Sequence, residues 1–136
     1  MDSENQKVVI LNGQVKQNAE LLFNSYSDYS KDVELILSSS EIGEYRFQDG
    51  DFYTALFGLR ALLEPEDIVI CINGCRLDFV CSNMARQMSR GRVGYIIEIG
   101  ERGSNRIRTF DNCDDVSKLA TVEQQTKYIK KWQDSF

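Results

Sequence analysis

The most constraining stretch of this sequence is an amphipathic helix that is followed at once by a proline and an unbroken apolar run. Between residues 51 and 63, apolar side chains recur at the i, i+3, i+4, i+7 spacing that places them on one stripe of a helix. Asp51 is a good N-cap, and Pro65 cannot continue a helix. Residues 67–72 then predict a central strand that is covered on both faces. We therefore expect the helix to lie on the sheet that contains this strand.

The fifty residues before the helix are typical of a small antiparallel meander. Short apolar runs separated by turn residues predict strands at residues 7–11, 33–37 and 44–47. The apolar side chains of residues 14–29 suit either a strand or a short helix, and we favour a strand. The Asn12-Gly13 dipeptide favours a hairpin because glycine accepts a positive φ. The polar residues 1–6 are expected to fray.

The second half alternates short strands with two helices. Asn73-Gly74 is another hairpin signal, and Ser82 caps a short helix in which Met84 and Met88 are expected to fill the core. Strands are predicted at residues 92–98 and 106–110, and a last helix runs from Thr121 to Trp132. Residues 1–136 are thus predicted to form a single α+β domain, a mainly antiparallel sheet with two or three helices packed on it.

Charge and composition exclude many functions. The chain has no histidine, which removes the commonest general base, nucleophile partner and metal ligand, and we expect that it is not an enzyme. Residues 1–70 carry 13 acidic and 5 basic side chains, a net −8, whereas residues 71–136 carry 8 and 11, a net +3. An acidic half repels phosphate, so a basic protein is a better partner than nucleic acid. No signal peptide or membrane span is recognisable, which predicts a cytoplasmic protein.

Two groups of polar residues were considered as small chemical sites. The four cysteines, Cys71, Cys75, Cys81 and Cys113, form no C-x-x-C pair and are predicted to stay reduced, without metal or cofactor. Cys71, which lies in the apolar run, is predicted to be a core thiol. Arg76, Asp78 and Ser82 around the Asn73-Gly74 turn define the alternative hypothesis, a small enzyme or a small-molecule-binding domain. An exposed ion pair between Arg76 and Asp78 also accounts for this pattern.

The leading site hypothesis is an acidic, tyrosine-bearing surface before the helix. Carboxylates in predicted turns beside tyrosines suit an interface that binds a basic partner, although a solvated face also explains them. The predicted partner-binding residues are Asp28, Asp32, Glu34, Glu41, Glu44, Asp49, Tyr26, Tyr29 and Tyr45.

Residues 51–95 also carry a recognisable pattern. Leu63-Glu64 closes the helix, Ile72-Asn73-Gly74-Cys75-Arg76-Leu77-Asp78 follows the strand, a Ser-x-Met-x-x-x-Met motif spans residues 82–88, and glycine precedes an aromatic strand at residues 91–95. This pattern resembles that of small bacterial immunity proteins, which are partners of polymorphic toxins that include contact-dependent growth inhibition systems. The resemblance implies that the chain neutralises a cognate toxin domain, often a nuclease such as an RNase, by covering its basic active-site cleft.

Overall fold

Residues 1–103 and 105–136 are described by the computed structural model, which has an α+β fold with antiparallel sheets. The predicted α+β class is therefore confirmed. Contacts between Cα atoms divide the chain into two units, Met1–Ile70 (unit 1) and Cys71–Phe136 (unit 2).

Unit 1 is a five-stranded antiparallel sheet with one α-helix on it. The strands have the spatial order β4-β3-β2-β1-β5. In chain order the elements are β1 (Asp2–Asn12), β2 (Val15–Ser25), β3 (Val33–Ser39), β4 (Gly43–Asp49), α1 (Phe52–Leu63) and β5 (Ile68–Ile70). Every strand predicted before the helix is present, and the sequence-based bounds of α1 are correct to within one residue.

The hairpin of β1 and β2 turns at Gly13, as the sequence predicts. Gly13 has a φ of +63°, which glycine adopts at little cost. Eleven consecutive residue pairs join the two strands, from Asn12 opposite Val15 to Asp2 opposite Ser25. The structure therefore differs from the expectation that residues 1–6 fray, because the long partner strand β2 extends the ladder to Asp2.

The core of unit 1 lies between α1 and one face of the sheet. Phe52 and Phe23 meet edge to face with their ring centroids 5.4 Å apart. Further apolar side chains fill this layer and are almost fully buried, namely Ile10, Leu21, Leu35, Leu37, Leu56, Leu59, Leu63 and Ile70. Gly58 is required at the point where α1 passes over Phe47, because a Cβ atom there would overlap the phenylalanine ring.

The apolar run at residues 67–72 is not a central strand, so this prediction is wrong. Only Ile68–Ile70 form a strand, β5, and it lies at the edge of the sheet beside β1. Ile68 and Ile70 are buried in unit 1, whereas Ile72 is buried in unit 2, where it bridges to Asn112. The run is continuously apolar because the chain passes from one core into the next.

Unit 2 contains a smaller antiparallel sheet and two helices. The three strands have the order β6-β7-β8. In chain order the elements are β6 (Phe79–Val80), α2 (Asn83–Ser89), β7 (Val93–Ile96), β8 (Asn105–Arg108) and α3 (Val122–Gln133). Thr121 caps α3 with a capping box that includes Gln124, as expected for a helix starting there.

The Asn73-Gly74 dipeptide forms no hairpin. Residues Asn73–Cys75 form a single 3₁₀ turn. The backbone N–H of Asn73 donates to the Asp111 carbonyl at 3.0 Å, and that of Gly74 donates to the Thr109 carbonyl at 2.7 Å. Because these donors bond to a distant segment, no partner strand follows directly.

Gln125 of α3 holds the loop that follows this turn. Its side chain is fully buried, and its amide nitrogen donates to the carbonyls of Gly74, Arg76 and Phe79 at 3.0, 2.7 and 3.4 Å. Buried carbonyls that lose their donors are costly, so this one amide fixes the path of residues 74–79.

Helix α2 contradicts one prediction about the core. Ser82 caps α2 as expected, accepting a hydrogen bond from the Ala85 N–H. Met84 and Met88, however, are 69% and 79% exposed. The half-buried side of this short helix carries Ala85 and Ser89, so the methionine pair is rotated about 100° away from it.

All four cysteines are buried thiols rather than disulfides. The predicted role of Cys71 as a core thiol agrees with this burial. Of the helices in the described residues, none combines the length and apolar character needed to cross a membrane.

The close approach at Gly58 predicts the result of a glycine-to-alanine comparison. Gly58→Ala should lower the free energy of unfolding by about 1–3 kcal/mol, because the added methyl group displaces Phe47 or α1. Gly50→Ala is the control, since its Cβ would meet open space. Urea unfolding followed by circular dichroism measures both. Equal stability of the two variants would contradict the packing described here.

Burial of the Gln125 amide predicts a second stability difference. Gln125→Leu should destabilise the protein by about 1–3 kcal/mol, because it removes the hydrogen bonds that the Gln125 amide donates to the carbonyls of Gly74 and Arg76. Gln133→Leu, an exposed glutamine at the end of the same helix, is the matched control. Chemical denaturation should separate the two, and a Gln125→Leu variant as stable as the control would refute this role.

Candidate protein-binding site

One end of unit 1 gathers aspartates from separate elements. Asp2 begins β1 opposite Ser25 of β2, and Asp49 ends β4 opposite Val33 of β3. The β2–β3 loop lies between them and carries Asp28 and Asp32, and the N-cap Asp51 follows β4. We call Asp2, Asp28, Asp32, Asp49 and Asp51, with Tyr26 and Tyr29, the acidic end. From β1 to β4 it is about 14 Å wide, given three strand spacings of about 4.8 Å.

The β2–β3 loop is held by a local turn at Asp28. The backbone N–H and the hydroxyl of Ser30 donate to Asp28 Oδ1 at 3.0 and 2.7 Å. These bonds, the backbone one first, favour the ionised carboxylate and lower the pKa of Asp28. The ammonium of Lys31 lies 4.8 Å from the centre of the Tyr26 ring. Tyr29 is 62% exposed beside them.

Two other carboxylates of the acidic end, Asp49 and Asp51, are also oriented by nearby donors. Asp49 Oδ1 accepts from the Gly50 N–H at 2.7 Å. Asp51 accepts from both the backbone N–H and the hydroxyl of Thr54, at 2.8 and 2.9 Å. These bonds keep the charges at fixed positions on the ends of elements.

Two predicted residues, Glu34 and Glu44, lie elsewhere and make ion pairs. Their strands pair so that they share the sheet face opposite α1 with Arg46. Arg46 is 2.9 Å from Glu44 and 3.7 Å from Glu34. Both glutamates raise the pKa of Arg46, mainly because Arg46 donates a hydrogen bond to Glu44. Arg46 therefore offsets part of their negative charge within the sheet.

Two further predicted residues are separated from the acidic end. Tyr45 pairs with Leu37 and so points to the α1 face, where it is half-buried. Glu41 lies in the β3–β4 turn at the opposite end of the sheet. The structure thus brings together Asp28, Asp32, Asp49, Tyr26 and Tyr29 from the predicted set, and it disperses the other four.

Sequence analysis missed Asp2 as a member of this surface. Residues 1–6 were expected to fray, and Asp2 was not considered further. The symmetry of the hairpin supplied a signal, since strands that extend equally from the Gly13 turn place Asp2 opposite Ser25.

The alternative site around Arg76 has its polar groups already engaged. Arg76 donates two hydrogen bonds to the carboxylate of Asp78, at 2.8 and 2.9 Å, and this contact raises the pKa of Arg76. The hydroxyl of Ser82 accepts the capping bond of α2. Asp78 borders an open groove of about 570 Å³ together with Lys118 and Tyr128.

A further carboxylate pair lies on an exposed turn of unit 2. A hydrogen bond with Glu101 raises the pKa of Glu98, and the charge of Glu101 adds to the effect. Across residues 1–103 and 105–136, no group of three His, Cys, Asp or Glu side chains is arranged to hold a metal ion.

The turn at Asp28 predicts a pH effect. Ser30→Ala should raise the pKa of Asp28 toward its ordinary value, because both donors to Oδ1 are lost or weakened. A lowered folded-state pKa contributes stability above the unfolded pKa, and this is lost as the pH falls through the folded value. NMR titration of the carboxyl carbon measures the shift, with the exposed Ser27→Ala as control. An unchanged Asp28 pKa in Ser30→Ala would contradict the assignment.

Comparisons with known proteins add no family to this description. No protein-family model matches the chain, and no curated protein matches it. The likeness to immunity proteins remains a prediction from the pattern at residues 51–95, and the binding hypothesis depends on the geometry of the acidic end.

Proposed function

We propose that the chain is a toxin-neutralising immunity protein that binds a basic toxin domain through its acidic end. The observation that supports this most is the convergence of five aspartates from separate elements on one end of unit 1. That end also carries Tyr26 and Tyr29, both exposed. Residues 26–32 carry two aspartates and one lysine, Lys31, and the other three aspartates of the acidic end add to their negative charge.

Electrostatics explains why such a surface suits a basic cleft. The cleft of a nuclease is positively charged because it binds phosphate, and carboxylates spaced over about 14 Å present a comparable row of negative charge. Complementary fields of this kind accelerate association, and the acceleration falls as the salt concentration rises.

The fixed position of the carboxylates also supports binding rather than simple solvation. Asp28, Asp49 and Asp51 each accept a hydrogen bond from a backbone N–H within three residues. A surface that is ordered before binding loses less conformational entropy when the partner arrives. Tyrosines add contact area with few rotatable bonds.

Charge reversal tests the proposed surface. Asp28→Lys with Asp32→Lys should reduce the association rate constant for the toxin domain encoded immediately upstream by about tenfold or more at low salt. The association rate constant should also depend less steeply on salt concentration. Stopped-flow fluorescence over a range of salt concentrations measures both quantities, and survival of cells expressing the toxin domain reports neutralisation.

Glu41→Lys is the matched control for the single variant Asp32→Lys, because both change the charge by +2 and Glu41 lies at the opposite end of the sheet. Glu41→Lys should leave association nearly unchanged. Equal losses in both variants would indicate only a net-charge effect. Wild-type protein that neither binds the toxin domain nor protects cells would refute the proposed function.

A further inference from the structure

Strand β1 has an open edge over most of its length. It has eleven residues, but β5 pairs only with Ile10, Leu11 and Asn12. In the part of the chain that the structure describes, β1 pairs with no strand other than β2 and β5. Residues 2–9 thus have a neighbouring strand on one side alone.

The backbone groups on this edge can be assigned from the hydrogen-bond alternation of antiparallel strands. The N–H of Gly13 donates to the Asp67 carbonyl, so the backbone polar groups of residue 13 point toward the side of β1 on which β5 lies. Along an antiparallel strand, the backbone N–H and C=O groups of every second residue point to the same side. The N–H and C=O groups of Ser3, Asn5 and Lys7 therefore face outward, and all three residues are exposed.

This edge has few of the features that normally prevent strand addition. The ladder with β2 runs through eleven pairs without a bulge, and the single proline of the chain, Pro65, lies elsewhere. Lys7 is the one charged side chain among the three outward-facing residues. An unpaired edge of regular register and this length is a template for an additional strand.

The charges beside the edge select the incoming segment. Asp2 and Glu4 project on the α1 side of the sheet, since they lie opposite Ser25 and Phe23. Both are exposed, and Asp2 belongs to the acidic end. An added strand with lysine or arginine at alternate positions places its cations next to these carboxylates.

The opposite edge of the sheet, formed by β4, is less suitable for adding a basic strand. Helix α1 packs mainly on β4 and β3, and Tyr45 and Phe47 of β4 are half-buried. On β4 the exposed Glu44 is already paired with Arg46. The exposed acidic side chains beside the open edge of β1 are Asp2 and Glu4.

We infer that the open edge of β1 binds an extended basic segment of the partner protein as an additional strand. The inference deepens the proposed function, on which it rests, by naming the part of the partner that is bound. Backbone hydrogen bonds to Ser3, Asn5 and Lys7 fix the segment in register. Asp2 and Glu4 provide the selection for positive charge.

A synthetic peptide tests the edge without any toxin domain. The probe alternates lysine and threonine over about eight residues, a span that matches residues 2–9 at about 3.3 Å per residue. Titrated into the ¹⁵N-labelled full chain, it should shift the amide signals of Ser3, Asn5 and Lys7 and slow their exchange with solvent. A glutamate-threonine peptide should bind at least about tenfold more weakly, a difference of about 1.4 kcal/mol.

Two variants separate backbone pairing from side-chain effects. Asn5→Pro removes an outward-facing backbone N–H without breaking the ladder with β2. This variant should bind the lysine-threonine peptide about tenfold more weakly than the wild type does. Asn5→Ala loses the hydrogen bond to Glu20 but keeps the N–H, and it should bind like wild type. A peptide N-methylated at the edge-facing positions should fail to bind wild type, which gives the same test if Asn5→Pro does not fold.

The outcomes distinguish this inference from the proposed function. If adding the lysine-threonine peptide leaves the amide signals of Ser3, Asn5 and Lys7 unshifted, the edge inference is overturned, even where the chain still neutralises a toxin. If these signals shift but the chain neutralises no toxin, the result supports a site for a basic strand and refutes only the proposed function. Concentration-dependent protection of these amides without peptide would assign the edge to a second copy of this chain and overturn the basic segment as its occupant.

Discussion

The register of the β1–β2 hairpin is the constraint on which unit 1 depends. Side chains alternate between the two faces of a strand, so a slip of one residue would move Ile10, Leu21 and Phe23 from the α1 side to the open side. The glycine turn and eleven paired residues specify the register. The same register places Asp2 beside the end of β2, which means that the core and the acidic end are set together.

Charge is distributed over unit 1 according to structural role. The face opposite α1 balances its glutamates with Arg46, and a hydrogen bond of 2.7 Å joins Ser3 to Asn24. At the acidic end, by contrast, five aspartates accumulate, and the β2–β3 loop there carries one cation, Lys31. A net charge of −8 over residues 1–70 therefore describes a local surface as well as a general acidity.

Local signals in the sequence predicted local structure well. Asp51, Ser82 and Thr121 were identified as caps because the residue type and the following apolar spacing suffice to define a helix start. Contacts between segments that are distant in sequence are harder to predict. The apolar run at residues 67–72 was interpreted as one buried strand, since composition cannot reveal that a chain leaves one core for another.

The candidate site shows the same limit. Asp28 and Asp32 lie four residues apart in one predicted turn and are readily grouped, but placing Glu34 and Glu44 requires knowledge of which face of the sheet they occupy. The spacing of Met84 and Met88 suits a buried stripe of a helix as well as an exposed one. Nothing in a seven-residue helix specifies which of its sides meets the sheet.

The location of the acidic end at the termini of strands has an evolutionary consequence. Asp28 and Asp32 lie in a loop and Asp2 at a strand terminus, and all three are exposed, so their replacement disturbs no core packing. Related chains can therefore exchange these carboxylates as their partners diverge while retaining the same hairpin and helix. Recognition can diversify quickly on a scaffold that changes slowly.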